Sequence, residues 1–349
     1  MPDWRKGNPY QSLLGNSLER FKFSVNYKDY PNKNFFHLQK TFNKQNKVDI
    51  LHLHWIHPYF DHIVWDKKWT FYLKLFYYSL DLVLLRLRGI KIIWTVHNLI
   101  SHETSNFKNE LICRKTLSLL CNKMIAHSHS AKKIISSTYN INPKKITVIP
   151  HGNYCNFYHL NSSNMIKAKS QYKIIESDIV VLFIGSVRKY KGIDNLISSF
   201  KKTKNPHIKL IVAGKPLEQK DEEWLVKAAS SHTNIILDLR FIPDNEIAAI
   251  ISLANVVIIP FVKTLSSGSV ILAMSFKKAL ILPISAKVLD LPGKNGAIYY
   301  NDNNLNELAA ILDSLPDYKL SEMGNYNYEL AKSLDWDIVA KKLIDNVYN

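Results

Sequence analysis

Short runs of aliphatic and β-branched residues alternate with longer stretches of helical periodicity along most of the chain. Residues 48–54, 91–97, 123–127 and 146–150 form a first set of such runs. Residues 179–185, 208–214, 235–239, 256–260 and 279–283 form a second. Their apolar positions are near-continuous rather than alternating, which is the pattern of parallel strands covered on both faces. Helical stretches such as 193–203 and 244–254 lie between them, with Asp244 placed to cap the latter. Strand–helix alternation in both halves predicts an α/β chain of two doubly wound, Rossmann-like domains. The polar stretch 151–163 marks the break, giving domains over 1–155 and 156–332 and a last helix within 333–349.

One feature departs from that plan. A doubly wound domain opens with its central strand, yet this chain opens with the polar Asp3-Trp4-Arg5-Lys6-Gly7-Asn8. That segment reads as the loop that follows such a strand, so either the chain starts late or the N-terminal sheet lacks its first strand.

The composition excludes several classes. The chain has 349 residues, 46% of them hydrophobic, enough for two cores and too apolar for a disordered chain. Cys113, Cys121 and Cys155 form no C-x-x-C spacing. A disulfide framework and a structural zinc site are therefore not expected, and a reducing compartment is. No run of 18 apolar residues occurs, and the N-terminus shows no apolar signal region. The expected location is cytoplasmic, peripheral on the inner face of the cell membrane.

Charge changes the picture. Residues 1–160 carry 23 Lys and Arg against 9 Asp and Glu, which is +14 of the total +17. The first half is thus expected to meet an anionic surface. Within it, residues 65–88 mix Trp65, Trp69, Phe71, Tyr72, Phe76, Tyr77 and Tyr78 with Lys67, Lys68, Lys74, Arg86 and Arg88. Aromatics beside basic residues suit a helix lying at a lipid interface. No recognition-helix or base-stacking motif points to nucleic acid, which is excluded as a partner.

Two segments carry anion chemistry. The run 181–194 is a strand, then a glycine turn at Gly185 with Arg188 and Lys191, then a helix. Gly185 lets a ligand approach the backbone, and both basic side chains can reach its phosphates. The run 264–274 is a small-residue loop opening a helix, with Ser267, Gly268 and Ser269 at its start. Free backbone N–H groups and the helix dipole make that start an anion site, with the serine hydroxyls as further donors. Together they suit a diphosphate held without metal.

At these residues the chain resembles the bacterial GT-B glycosyltransferases that build cell-surface polysaccharides. The resemblance runs through the opening Pro2-Asp3-Trp4-Arg5-Lys6-Gly7-Asn8-Pro9-Tyr10-Gln11, His52-Leu53-His54-Trp55, Trp94-Thr95-Val96-His97-Asn98 with His102-Glu103, and Ile149-Pro150-His151-Gly152-Asn153-Tyr154. It continues through Phe183-Ile184-Gly185 to Lys191-Gly192, Ala213-Gly214-Lys215-Pro216, Phe241-Ile242-Pro243-Asp244 and Ser266-Ser267-Gly268-Ser269. It implies a nucleotide-sugar-binding C-terminal domain, an acceptor-binding N-terminal domain, and a last helix crossing back onto the first domain. The implied donor is a UDP- or GDP-linked sugar, used as substrate with no further cofactor and no metal. The implied acceptor is a saccharide on a polyprenyl diphosphate carrier.

The chain also departs from the family pattern. Many relatives carry two glutamates eight positions apart, where Thr264 and Leu272 stand here. That resembles the subgroup of exopolysaccharide β-mannosyl- and β-glucosyltransferases and implies inversion at the anomeric carbon. Inversion needs a general base for the acceptor hydroxyl. Glu103 is the first candidate, with His97, at a strand end, as sugar-positioning partner or substitute base. His52 and His54 share a strand face, which suits a metal only with a third ligand nearby. The alternative reading is another GT-B activity on the donor alone, such as a nucleotide-sugar epimerase.

Overall fold

A computed structural model describes residues 1–5, 7–28, 48–56, 63–64, 68–101, 104, 106–261 and 264–349. The chain divides into two compact units, Met1–Gly152 with Trp336–Asn349, and Asn153–Asp335. The division falls at Gly152, just before the break expected at 155.

Among the described residues, the first unit is built on four parallel strands, β1 (Ile50–Leu53), β2 (Lys91–Thr95), β3 (Lys123–Ala126) and β4 (Ile146–Val148), lying side by side in that order. Helices Tyr10–Arg20, Lys68–Leu87, Phe107–Leu120, His129–Tyr139 and Trp336–Leu343 surround them. Local chemistry sets their ends. Asn106 accepts from Asn109 N and Ser128 from Ala131 N, each satisfying a first-turn donor. Asn140 closes its helix in the left-handed region at φ 55°. Among the described residues, β1 lies at one sheet edge. The opening segment makes a lone parallel bridge, Pro2 to Lys28, and Gln11 fastens it by donating to Pro2 O and accepting from Trp4 N.

A core of Tyr10, Leu14, Leu18, Ile93, Ile125 and Ile149 is completed by Trp336, Val339, Ala340 and Leu343 from the far end of the chain. Asp337 accepts from Ser17 and Arg20 on the first helix. Gly152 is required here, since a side chain would run into the Trp336 ring.

The second unit holds six parallel strands: β5 (Ile179–Ile184), β6 (Ile208–Ala213), β7 (Ile235–Asp238), β8 (Val256–Ile258), β9 (Ala279–Pro283) and β10 (Ala297–Tyr300). Their spatial order is β10-β9-β8-β5-β6-β7. The chain starts in the middle, runs outward through β6 and β7, then returns to the far side of β5 with β8. The reversal point therefore lies between β5 and β8, and ligands of such sheets sit beyond the carboxyl ends of the strands there. Strand burial is near-continuous, with every residue of β9 buried. Two details differ from the sequence expectation. β10 had no counterpart there, because its four residues follow a polar turn and end in two tyrosines. Asp244 is the first residue of its helix, not its cap; Pro243 holds that position and Asp244 adds negative charge to the first turn.

Candidate active site

Three glycines shape the carboxyl end of β5. Gly185 follows the strand at φ +135°, and a Cβ there would lie 3.4 Å from Lys191 Nζ and 3.9 Å from Ser269 Oγ. Two polar groups from separate loops thus stand over one bare stretch of backbone. Gly214 abuts the Gly185 carbonyl from β6. Gly192, at φ +68°, brings its turn so close to β8 that a Cβ would sit 2.7 Å from Pro260 O. Without side chains at these points, the strand ends flanking the reversal point approach each other closely.

Lys191 ends the short turn Lys189–Lys191 and donates to Ser186 Oγ at 3.2 Å. Burial, reinforced by the nearby positive charge of Arg188, pulls its pKa down to about 8. A half-buried ammonium beside a second cation is short of an anionic partner. After β8, helix Gly268–Ser275 begins at Ser267, whose Oγ accepts from Val270 N at 3.3 Å. Ser267 is therefore engaged as a cap, while Gly268 and Ser269 contribute the first-turn N–H groups that no helical carbonyl reaches. Thr264 donates its hydroxyl to Ser266 O, which shapes the loop. The structure thus gathers Gly185, Lys191 and Ser269 at one strand-end crevice, with Arg188 and the Gly268 backbone on its two loops.

Histidines gather at the strand ends of the first unit. His52 lies in β1 and His54 just past it, His97 follows β2, His127 follows β3 and His151 follows β4. His52 is fully used: Nδ1 meets Tyr348 Oη at 2.7 Å and Nε2 meets Thr95 Oγ1 at 2.8 Å. His54 Nδ1 lies 3.3 Å from His97 Nε2, and Trp55 stacks on His97 at 4.3 Å. Tyr10 fills the middle, edge-on to His54, His97, His127, His151 and Trp336. Burial keeps these rings neutral. It lowers His52 and His151 to about 3 and His127 to about 4, with His54 and His97 also well below the ordinary range. Among the described residues, no three His, Cys, Asp or Glu side chains are placed to hold a metal ion.

The loop after His97 is clamped by residues that the sequence reading passed over. Buried Arg114 donates to Asn98 O at 2.8 Å and pairs with buried Glu110 at 2.6 Å. Glu110 in turn accepts from Ser101 N, and Tyr139 donates to Leu99 O. The i,i+4 spacing of Glu110 and Arg114 was the available signal. Glu103 and His102 lie outside the described residues.

Helix Lys68–Leu87 turns only part of its aromatic set outward: Phe71 and Tyr78, expected at a lipid interface, are buried in the first unit, and Trp65 and Lys67 lie outside the described residues. Trp69, Tyr72, Leu73, Phe76, Val83 and Leu87 are exposed at helical spacing, Trp69 at 86% and Leu87 at 78%. Arg86 and Arg88 are exposed at the helix end. No described helix is long and apolar enough to cross a membrane.

Two family models fall on the two halves. One, described as Glycosyltransferase Family 4, matches residues 74–153, and another, Glycosyl transferases group 1, matches 164–322. The chain is thus similar to the group 1 glycosyltransferases over most of its second unit. This glycosyltransferase is 23% identical over 297 residues to a GDP-mannose:glycolipid 4-beta-D-mannosyltransferase of Xanthomonas campestris pv. campestris, covering 84% of this chain and 75% of the relative. Its fold is that of Anabaena HepE in complex with UDP and glucose, at TM-score 0.73 and 16% identity over 95% of this chain and 88% of the other. Sucrose-phosphate synthase from Thermosynechococcus elongatus matches at TM-score 0.74 and 16% identity, over 97% and 92%. The enzyme is thus a GT-B glycosyltransferase with two parallel-sheet, Rossmann-like units.

Proposed function

We propose that this glycosyltransferase moves a hexosyl group from a nucleoside-diphosphate sugar, GDP-mannose first among them, to a lipid-linked saccharide, with inversion at the anomeric carbon. The observation that carries the reading is the convergence of Lys191 Nζ and Ser269 Oγ over Gly185 at the reversal point of the second sheet. A diphosphate suits that place: it offers charge to an under-partnered lysine and accepts from first-turn N–H groups. Arg188, Lys191 and the helix dipole supply the countercharge that a divalent cation would otherwise provide. The preference for a GDP-linked hexose and a glycolipid acceptor is supported by the names of the Xanthomonas relatives.

Thr264 and Leu272 leave no carboxylate at two positions where many relatives carry one, which supports inversion. Inversion calls for a base in the first unit. Glu103 takes that role, with His97 orienting the sugar. The outward aromatic face of helix Lys68–Leu87 and its terminal arginines would rest on the cytoplasmic face of an anionic membrane, where a polyprenyl-diphosphate-linked acceptor resides.

A thermal-shift screen over UDP- and GDP-sugars, followed by NMR of the product with a polyprenyl-diphosphate-linked saccharide, tests the reading. A selective rise in Tm with GDP-mannose and an inverted product are expected. No shift with any nucleotide sugar would remove the donor assignment, and a retained configuration would remove inversion. Donor conversion without acceptor would point to epimerisation instead.

A further inference from the structure

Two neutral imidazoles meet where β1 and β2 end. His54 and His97 are both buried, and burial holds each well below the ordinary imidazole range. A neutral imidazole has one N–H and one lone pair, so across the 3.3 Å between His54 Nδ1 and His97 Nε2 one ring donates and the other accepts.

The remaining nitrogen of His54 decides the direction. His54 Nε2 is buried and no hydrogen-bond partner reaches it. Were His54 the acceptor at Nδ1, its single N–H would be this orphaned Nε2, a donor stranded away from water. Buried donors without partners are rare and costly, whereas an unused lone pair is better tolerated. His127 sets a precedent within the same cluster. Its Nδ1 lies 2.9 Å from Ile149 O, and a carbonyl only accepts, so Nδ1 carries the proton and the unpartnered Nε2 is a lone pair. His151 donates Nδ1 to Gly152 O at 2.7 Å in the same manner.

We infer that His54 donates its Nδ1 proton to His97 Nε2 and so fixes His97 as the Nδ1–H tautomer, which cannot serve as a base. His54 is then a positioning residue. The only lone pair of His97 is filled, so the proton of an acceptor hydroxyl must pass to another group. The substrate-facing role of His97 rests on the glycosyl-transfer reading above; its tautomer does not.

Long-range nitrogen–proton NMR of the full chain, labelled with ¹⁵N-histidine and assigned with His54→Asn and His97→Asn, reads the tautomer directly. His97 protonated at Nδ1 and bare at Nε2 is expected, and a His97 protonated at Nε2 overturns the inference. Kinetics supply a second arm. An asparagine side chain keeps a donor near the original Nδ1, whereas leucine has none. His54→Leu should lower kcat about tenfold, the worth of one hydrogen bond, at unchanged donor KM, and His54→Asn should restore most of it. Equal loss in both variants, with the His97 tautomer unchanged in each, would also overturn it. Should His97→Ala retain full turnover while NMR reports the Nδ1–H form, the tautomer stands and the substrate role of His97 falls.

Discussion

Gly214 rests against the carbonyl of Gly185, so closely that any side-chain carbon on Gly214 would run into that oxygen. Both residues have positive φ, +145° and +135°, and both end neighbouring strands, since Gly185 N donates to Ala213 O at 3.0 Å. The crevice of the second unit is therefore defined as much by missing side chains as by present ones.

Alanine at the two positions should separate packing from binding. Gly214→Ala must displace the Gly185 backbone and should cost about 2–4 kcal/mol of stability. Gly185→Ala meets only the ends of Lys191 and Ser269. It should cost about 1–2 kcal/mol through its strained φ, while weakening nucleotide binding more than its stability loss explains. Chemical denaturation and calorimetric titration with GDP check both. Equal effects of the two variants on GDP affinity and on stability would contradict the separation.

Lys191 should make donor affinity pH-dependent. With its pKa lowered to about 8, the ammonium is present below that value and is lost as pH rises through it. Affinity for a nucleoside diphosphate should thus fall between about pH 7.5 and 9, over a range where an ordinary lysine stays charged. Lys191→Met should lose about 1.5–3 kcal/mol of binding at pH 7 and show no such decline. A wild-type affinity flat across this range would refute the assignment.

The histidine cluster should make the first unit acid-sensitive. Well above pH 6.5, by about pH 7.5, the five rings are largely neutral in both folded and unfolded chains, so they leave stability nearly unchanged. As pH falls, the unfolded chain takes up protons first. The folded chain resists until its own values are reached, about 4 for His127 and about 3 for His52 and His151. Each histidine then subtracts about 1.4 kcal/mol per pH unit. Urea midpoints at pH 7, 6 and 5 should drop progressively, and His127→Gln should lessen the slope by about one proton. Midpoints that stay level down to pH 5 would contradict the burial described.

Helix Lys68–Leu87 should govern lipid association. Trp69→Ala with Phe76→Ala removes two side chains that are 86% and 60% exposed, so Tm should change little. Sedimentation of the full chain with phosphatidylglycerol vesicles should weaken about tenfold or more, and wild-type binding should decline with salt. Unchanged binding by the double variant would move the lipid contact elsewhere.

Much of this was legible along the sequence because the signals are local. A buried parallel strand declares itself by a continuous apolar run, and Gly185, Arg188 and Lys191 sit within seven residues of one another. The same locality made the start of helix Gly268–Ser275 readable. The histidine cluster was not, because its members come from four strands and owe their arrangement to sheet order. Tyr10 looks like an ordinary helix-start residue until the ends of β1 to β4 close around it. The neutrality of the rings depends on burial, which no spacing encodes. β10 escaped notice for a different reason: four residues ending in Tyr299 and Tyr300 carry too short an apolar run to stand out.

The first unit closes with residues that the ribosome delivers after the entire second unit. Trp336 packs on Tyr10 and His151, Tyr348 Oη bonds His52, and Lys91 Nζ donates to Tyr348 O at 2.8 Å. During synthesis, the segment Asn153–Asp335 emerges whole and can fold as an uninterrupted piece. The earlier-made Met1–Gly152 segment must meanwhile wait with the Trp336 slot beside Gly152 unfilled and the inner face of its first helix uncovered. The order of maturation is thus the reverse of the order of translation, and nascent chains should be most dependent on chaperones while their oldest residues are still unfinished.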